Sequence, residues 1–127
     1  MDAEELKART KQPALDAIRV VKVLPRSREA DVLARQLLRS ATSVGANYRA
    51  ACRARSRGEF IANLGVVEEE ADECAYWVEL LVDSGLMSAD RAAAFKAACE
   101  EILRIAVASI KTTRRQAPPV SDARESP

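Results

Sequence analysis

Apolar residues recur along most of this chain at intervals of three and four, the spacing that lines one face of an α-helix. The strictest run is Phe60, Leu64, Val67, Ala71, Cys74, Val78 and Leu81. Its alternation of four and three is the 3.5-residue repeat of bundle seams. Upstream, Ala30, Leu33, Ala34, Leu37, Ala41, Val44, Gly45, Tyr48, Ala51 and Cys52 form a broader stripe, and downstream Phe95, Cys99, Ile102, Ala106 and Ile110 form another. A shorter stripe of Ala14, Ile18 and Val21 lies near the start.

Breaks between the stripes carry the residues that end and start helices. Pro25 and Ser27 mark the first. Ser56-Arg57-Gly58-Glu59 has the spacing of a capping box, in which the serine hydroxyl accepts from the glutamate N–H. Gly85 suits a left-handed C-cap, with Ser88 as the next N-cap. Thr10 is placed to cap the first helix, because Pro13 is best tolerated in a first turn. The predicted helices are therefore about 10–24, 28–55, 57–84 and 89–115, within one domain spanning 1–115. Residues 116–127, with adjacent prolines and little apolar content, read as a disordered tail. Short connections between long helices make neighbours antiparallel, so the expected fold is an all-α, up-down-up-down four-helix bundle.

Small residues (Ala34, Ala41, Gly45, Ala46, Ala71) allow close helix approach and supply little apolar area. Ile61, Val66 and Leu80 fall off the main stripe of the third helix and are read as an interface between copies of the chain. Scattered surface hydrophobes are the alternative.

Composition excludes several chemistries. The 127 residues contain no His, which removes imidazole acid–base catalysis and histidine metal ligands. Cys52, Cys74 and Cys99 are odd in number and lack C-x-x-C spacing, so they read as small hydrophobes in a reducing, cytoplasmic setting. The acidic run Glu68-Glu69-Glu70-Ala71-Asp72-Glu73 invites a carboxylate metal site, but such bundle sites draw on Glu-x-x-His motifs. Glu69, Asp72 and Glu73 also fall mostly away from the apolar seam, as on a solvated or subunit-contacting face. No nucleophile elbow or phosphate-cradling glycine loop occurs, and neither an enzyme, a cofactor nor a membrane span is expected.

The net charge of +1 conceals a sorting along the chain. Residues 1–57 hold 13 basic and 6 acidic side chains; residues 58–127 hold 7 and 13. On an ideal helix Arg35, Arg39, Arg49, Arg53 and Arg57 fall within about 40° of one line, opposite the apolar stripe of the second helix. Thr42 and Ala46 share that face, and Lys111, Arg114 and Arg115 add a basic end to the fourth helix. Such a row can follow a phosphate backbone through bidentate guanidinium contacts. It can equally pair with the acidic third helix, within one subunit or on a neighbour. Scarce aromatic residues, 4% of the chain, argue against stacking on single-stranded bases.

The run Gln36-Leu37-Leu38-Arg39-Ser40-Ala41-Thr42-Ser43-Val44-Gly45-Ala46-Asn47-Tyr48-Arg49, with Ser56-Arg57-Gly58-Glu59-Phe60-Ile61, Leu64-Gly65, Glu69-Glu70-Ala71-Asp72-Glu73, Tyr76-Trp77 and Leu80-Leu81, resembles the four-helix-bundle protein family. That family includes proteins encoded in 23S ribosomal RNA intervening sequences and, as a related branch, the accessory variability determinant of diversity-generating retroelements. The resemblance covers about residues 6–115. It implies a left-handed bundle assembled into a five-membered homo-oligomeric ring. In the retroelement branch it also implies a basic surface that binds RNA or DNA and a reverse transcriptase. Arg39 and Arg49 lie inside the shared run; Arg35 and Arg53 rest on helix-face geometry alone.

Overall fold

A computed structural model describes residues 1–116 of the chain. Four helices follow one another: α1 (Ala3–Val23), α2 (Arg28–Cys52), α3 (Arg57–Asp83) and α4 (Ala89–Gln116). The pairs α2–α3 and α3–α4 pack most extensively, α1 lies along α2, and the α1–α4 seam is the thinnest. The result is an antiparallel bundle with no strand among the described residues.

The predicted punctuation holds for three helices. Ser27 Oγ accepts from the Ala30 N–H at 3.2 Å, Ser56 Oγ from Glu59 at 3.0 Å and Ser88 Oγ from Arg91 at 3.2 Å. Gly85 has φ 81°, and the Leu86 N–H donates to the Leu81 carbonyl at 2.9 Å while Gly85 donates to Val82 at 3.0 Å. These two hydrogen bonds satisfy carbonyls at the end of α3 that have no i+4 partner within the helix.

The first helix departs from expectation. It begins seven residues before position 10, at Ala3, with Asp2 as its N-cap accepting from the Glu5 N–H at 2.8 Å. Thr10 is buried inside the helix and donates its hydroxyl back to the Leu6 carbonyl at 2.7 Å. Pro13 is interior and buried as well. The core face is Thr10, Pro13, Ala17 and Val20, so the expected stripe of Ala14, Ile18 and Val21 is displaced; Ile18 is 41% exposed. A threonine satisfied by its own helix and a proline ring present mostly carbon to the core, so they fill positions that polarity and helix propensity argue against.

In α2 the buried line is Ala30, Ala34, Leu37, Ala41, Val44, Tyr48 and Ala51, but Cys52 at the helix end is exposed. The α3 and α4 stripes are buried as spaced, Phe60 being half-buried. Full burial of each large member contributes roughly 1.5–3 kcal/mol. Ile61, Val66 and Leu80, read from the sequence as an interface between copies, are half-buried, and Ile61 packs against the core. The large apolar side chains that do face outward include Leu15 and Ile18 on α1, Val32 on α2 and Tyr76 on α3. The expected disordered tail falls outside the described residues, apart from Gln116, which ends α4.

Candidate functional site

The five arginines do not form one continuous row. The second helix stops at Cys52 instead of residue 55, Arg53 is its C-cap at φ −104° and ψ 11°, and Arg57 is the half-buried first residue of α3. An ideal helix carried to residue 57 therefore overestimates the row, because the turn at Arg53–Ser56 redirects the backbone. Arg35 remains exposed on α2.

Arg39 turns toward α3. Its guanidinium pairs with Glu73 and, at 3.2 Å, with Glu70. It also reaches Gln36 Oε1 and Ser40 Oγ, both at 3.2 Å. Partial desolvation opposes its charge, but Glu73 and Glu70 outweigh that effect and hold the guanidinium above its ordinary pKa. The buried Ser40 hydroxyl anchors the cluster, accepting from the Trp77 indole N–H at 3.2 Å and lying 3.0 Å from the Gln36 carbonyl. Arg39 is thus committed within its own chain, and the half-buried Glu73 belongs to the α2–α3 contact instead of a free acidic face. Glu69 and Asp72 are exposed as expected.

Arg49 and Arg53 face another way. With Lys7 and Lys11 of α1 they line a groove of about 700 Å³ between α1 and α2, where small residues such as Ala8, Ala14, Gly45 and Ala46 form part of the wall. Glu4 is the one carboxylate lining it, and it pairs with Lys7 at 3.3 Å. Lys7 and Lys11 are one helical turn apart, as are Arg49 and Arg53, so two short cationic lines face each other across the groove. The lysines escape sequence reasoning because helix 1 is expected to start after Lys7; their i, i+4 spacing carries meaning only once residues 3–9 are helical.

Antiparallel packing adds to this. The start of α1, the end of α2, the start of α3 and the end of α4 all meet at one end of the bundle. Residues 1–11, 46–63 and 105–116 contribute ten basic and four acidic side chains there. The sorting between the two halves of the sequence sets α1 and α2 against α3 and α4, and the excess of basic side chains in these four end segments adds a positive field at one end of the bundle. Arg49, Arg114 and Arg115 also sit in the last turns of their helices, where cations complement the carbonyl ends. Among the described residues no cluster of three or more His, Cys, Asp or Glu is arranged to hold a metal ion, and no helix is long and apolar enough to cross a membrane.

A family model described as 23S rRNA-intervening sequence protein matches residues 5–108. The chain belongs to that family. Among solved structures, it is similar to the crystal structure of a protein of unknown function from the S23 ribosomal protein family of Bacteroides thetaiotaomicron. That match has a TM-score of 0.77 and 32% sequence identity, covering 83% of this chain and 97% of the other. No curated protein matches. The matched span contains Lys7, Lys11, Arg49 and Arg53 and ends before Lys111, Arg114 and Arg115. The α1–α2 groove therefore lies in the family's part of the chain, and the last turns of α4 lie beyond it.

Proposed function

We propose that this chain is a non-enzymatic helical bundle that contacts nucleic acid, or a nucleoprotein partner of the reverse-transcriptase kind, through its cationic α1–α2 groove. The observation carrying this is the convergence of Lys7, Lys11, Arg49 and Arg53 around a groove containing small residues and no aromatic ring. Guanidinium and ammonium groups recognise phosphate oxygens, whereas base stacking requires aromatic surface. Binding is therefore directed at the backbone, independent of sequence and steeply dependent on salt.

Electrophoretic mobility shift of duplex RNA and DNA across a salt series tests this. Four phosphate contacts give a slope of log K against log salt of roughly −3 to −4. Lys11→Glu/Arg49→Glu should abolish the shift without unfolding the protein. Arg39→Glu should instead act on stability, because it places a third carboxylate beside Glu70 and Glu73. Absence of a low-salt shift, or a shift unchanged in the groove double variant, overturns the reading.

A second reading is an assembly scaffold, a ring-shaped homo-oligomer, and it is favoured by the exposure of Val32 and Tyr76, 50% and 52%. An arginine row pairing with a neighbour's acidic face would have to do without Arg39, which is occupied within the chain. Light scattering should then give a multiple of the chain mass, lowered by Val32→Glu/Tyr76→Glu; a monomer mass for the native chain ends this reading.

A further inference from the structure

The thin α1–α4 seam leaves a slot at the basic end of the bundle. Leu6, Phe60, Ile105 and Ser109 border both an inner void of about 50 Å³ and an outer groove of about 400 Å³. The void reaches inward to Leu64, Val67 and Ile102, so the slot is apolar to its floor. Outward, Ala108 and Thr112 are shared between this groove and a shallow depression of about 370 Å³ over the outer face of α4. Leu103 and Val107 give that depression an apolar surface, and Arg104, Lys111 and Arg115 are its charged residues. No carboxylate lines the void, the groove or the depression.

The three cations recur at i, i+7 and i+11, a span of roughly 16 Å along α4. An apolar slot thus opens beside a cationic ridge three helical turns long. This pattern is the complement of a helix with leucine-like residues on one face and carboxylates flanking them. A partner helix laid in a groove derives affinity from a few large apolar anchors in pockets, and register from charges along the rim. A bare phosphate backbone would use the cations and leave the apolar slot empty.

We propose that the α4 outer face and the α1–α4 slot form a docking site for an acidic amphipathic helix of a protein partner, with one large apolar side chain seated between Leu6, Phe60 and Ile105. This surface is separate from the α1–α2 groove and does not depend on nucleic-acid binding.

The test uses the full chain and a fluorescein-labelled synthetic helical peptide of about fourteen residues, long enough to span the ridge. It carries leucines on one face and glutamates beside them. One control replaces every Glu by Lys, and another replaces every Leu by Ala. Fluorescence anisotropy should show the Glu/Leu peptide binding at least roughly tenfold tighter than either control. Ala108→Trp, which blocks the slot, and Arg104→Glu/Lys111→Glu, which reverses the ridge, should each weaken binding by at least about tenfold. All three altered positions are exposed, and far-UV circular dichroism checks that the bundle is intact. Lys11→Glu/Arg49→Glu should leave peptide binding unchanged, which separates this site from the groove. Equal binding of either control peptide, or insensitivity to the slot and ridge variants, overturns the proposal. So does a changed chain mass in sedimentation of Arg104→Glu/Lys111→Glu, which would make this face a contact between copies.

Discussion

A Cβ atom on Gly45 would stand 3.0 Å from the carbonyl oxygen of Thr10, with the Lys11 Cα at 3.5 Å. Both neighbours are α1 backbone, which cannot swing aside as a side-chain tip can. Gly45 thus sets how closely α1 approaches α2, and with it the width of the groove between Lys11 and Arg49.

Gly45→Ala should destabilise the protein despite improving helix propensity. Alanine favours a helix interior by about 1 kcal/mol over glycine. Overpacking against a fixed backbone costs about 1–3 kcal/mol. The expected net loss is on the order of 1 kcal/mol, read as a lower urea midpoint. Gly65, inside α3, is the control: a Cβ there meets nothing within 4 Å. Gly65→Ala should raise the midpoint, by a gain of about 0.5–1 kcal/mol. Equal midpoint shifts in the two variants would refute the close-approach argument.

How legible this was in the sequence differs by element. The stripes of α3 and α4 could be read directly because their core positions are occupied almost wholly by apolar residues at bundle spacing. In α1 the core positions include Thr10 and Pro13, which signal a cap and a first turn when read locally. Only tertiary packing shows them to be interior, and the helix start moved with them. Read locally, the Lys7–Lys11 spacing has no helical meaning for that reason, whereas Arg49 and Arg53 belong to the expected row and line the same groove. The capture of Arg39 by Glu70 and Glu73 was open among the alternatives, since pairing with α3 depends on which flank of the α3 seam meets α2. Arg57 leaves the expected row at a helix end, because the four non-helical residues 53–56 separate it from α2 and make it the first residue of α3.

Tyr48 should make stability fall at alkaline pH. Burial, then its hydrogen bond to the Cys52 thiol, then the charges of Asp2 and Glu4 push its phenol up from 10.0 to about 12. Below pH 10 the phenol is protonated in both folded and unfolded chains, and its contribution is fully present. Above pH 10 the unfolded chain releases the proton while the folded chain retains it, so unfolding becomes easier as pH rises, until about 12. Urea unfolding between pH 9 and 12 should show this decline, and Tyr48→Phe should flatten it. An identical slope in the variant would assign the decline to other groups.

The three thiols should separate by reactivity. Cys52 is exposed at the end of α2, whereas Cys74 on α3 and Cys99 on α4 are buried. A hydrogen bond with the Cys99 thiol, followed by burial, holds Cys74 far above the ordinary thiol pKa, so it has almost no nucleophilic thiolate. An aromatic disulfide reagent at mildly alkaline pH should therefore modify one thiol per native chain quickly. The other two should react at a rate that rises with denaturant and follows opening of the α3–α4 contact. Cys52→Ser should remove the fast phase alone, whereas Cys74→Ser should leave it intact and destabilise the bundle by introducing a hydroxyl among apolar neighbours. Fast reaction of more than one thiol in the native protein would contradict the burial of Cys74 and Cys99 in the α3–α4 contact.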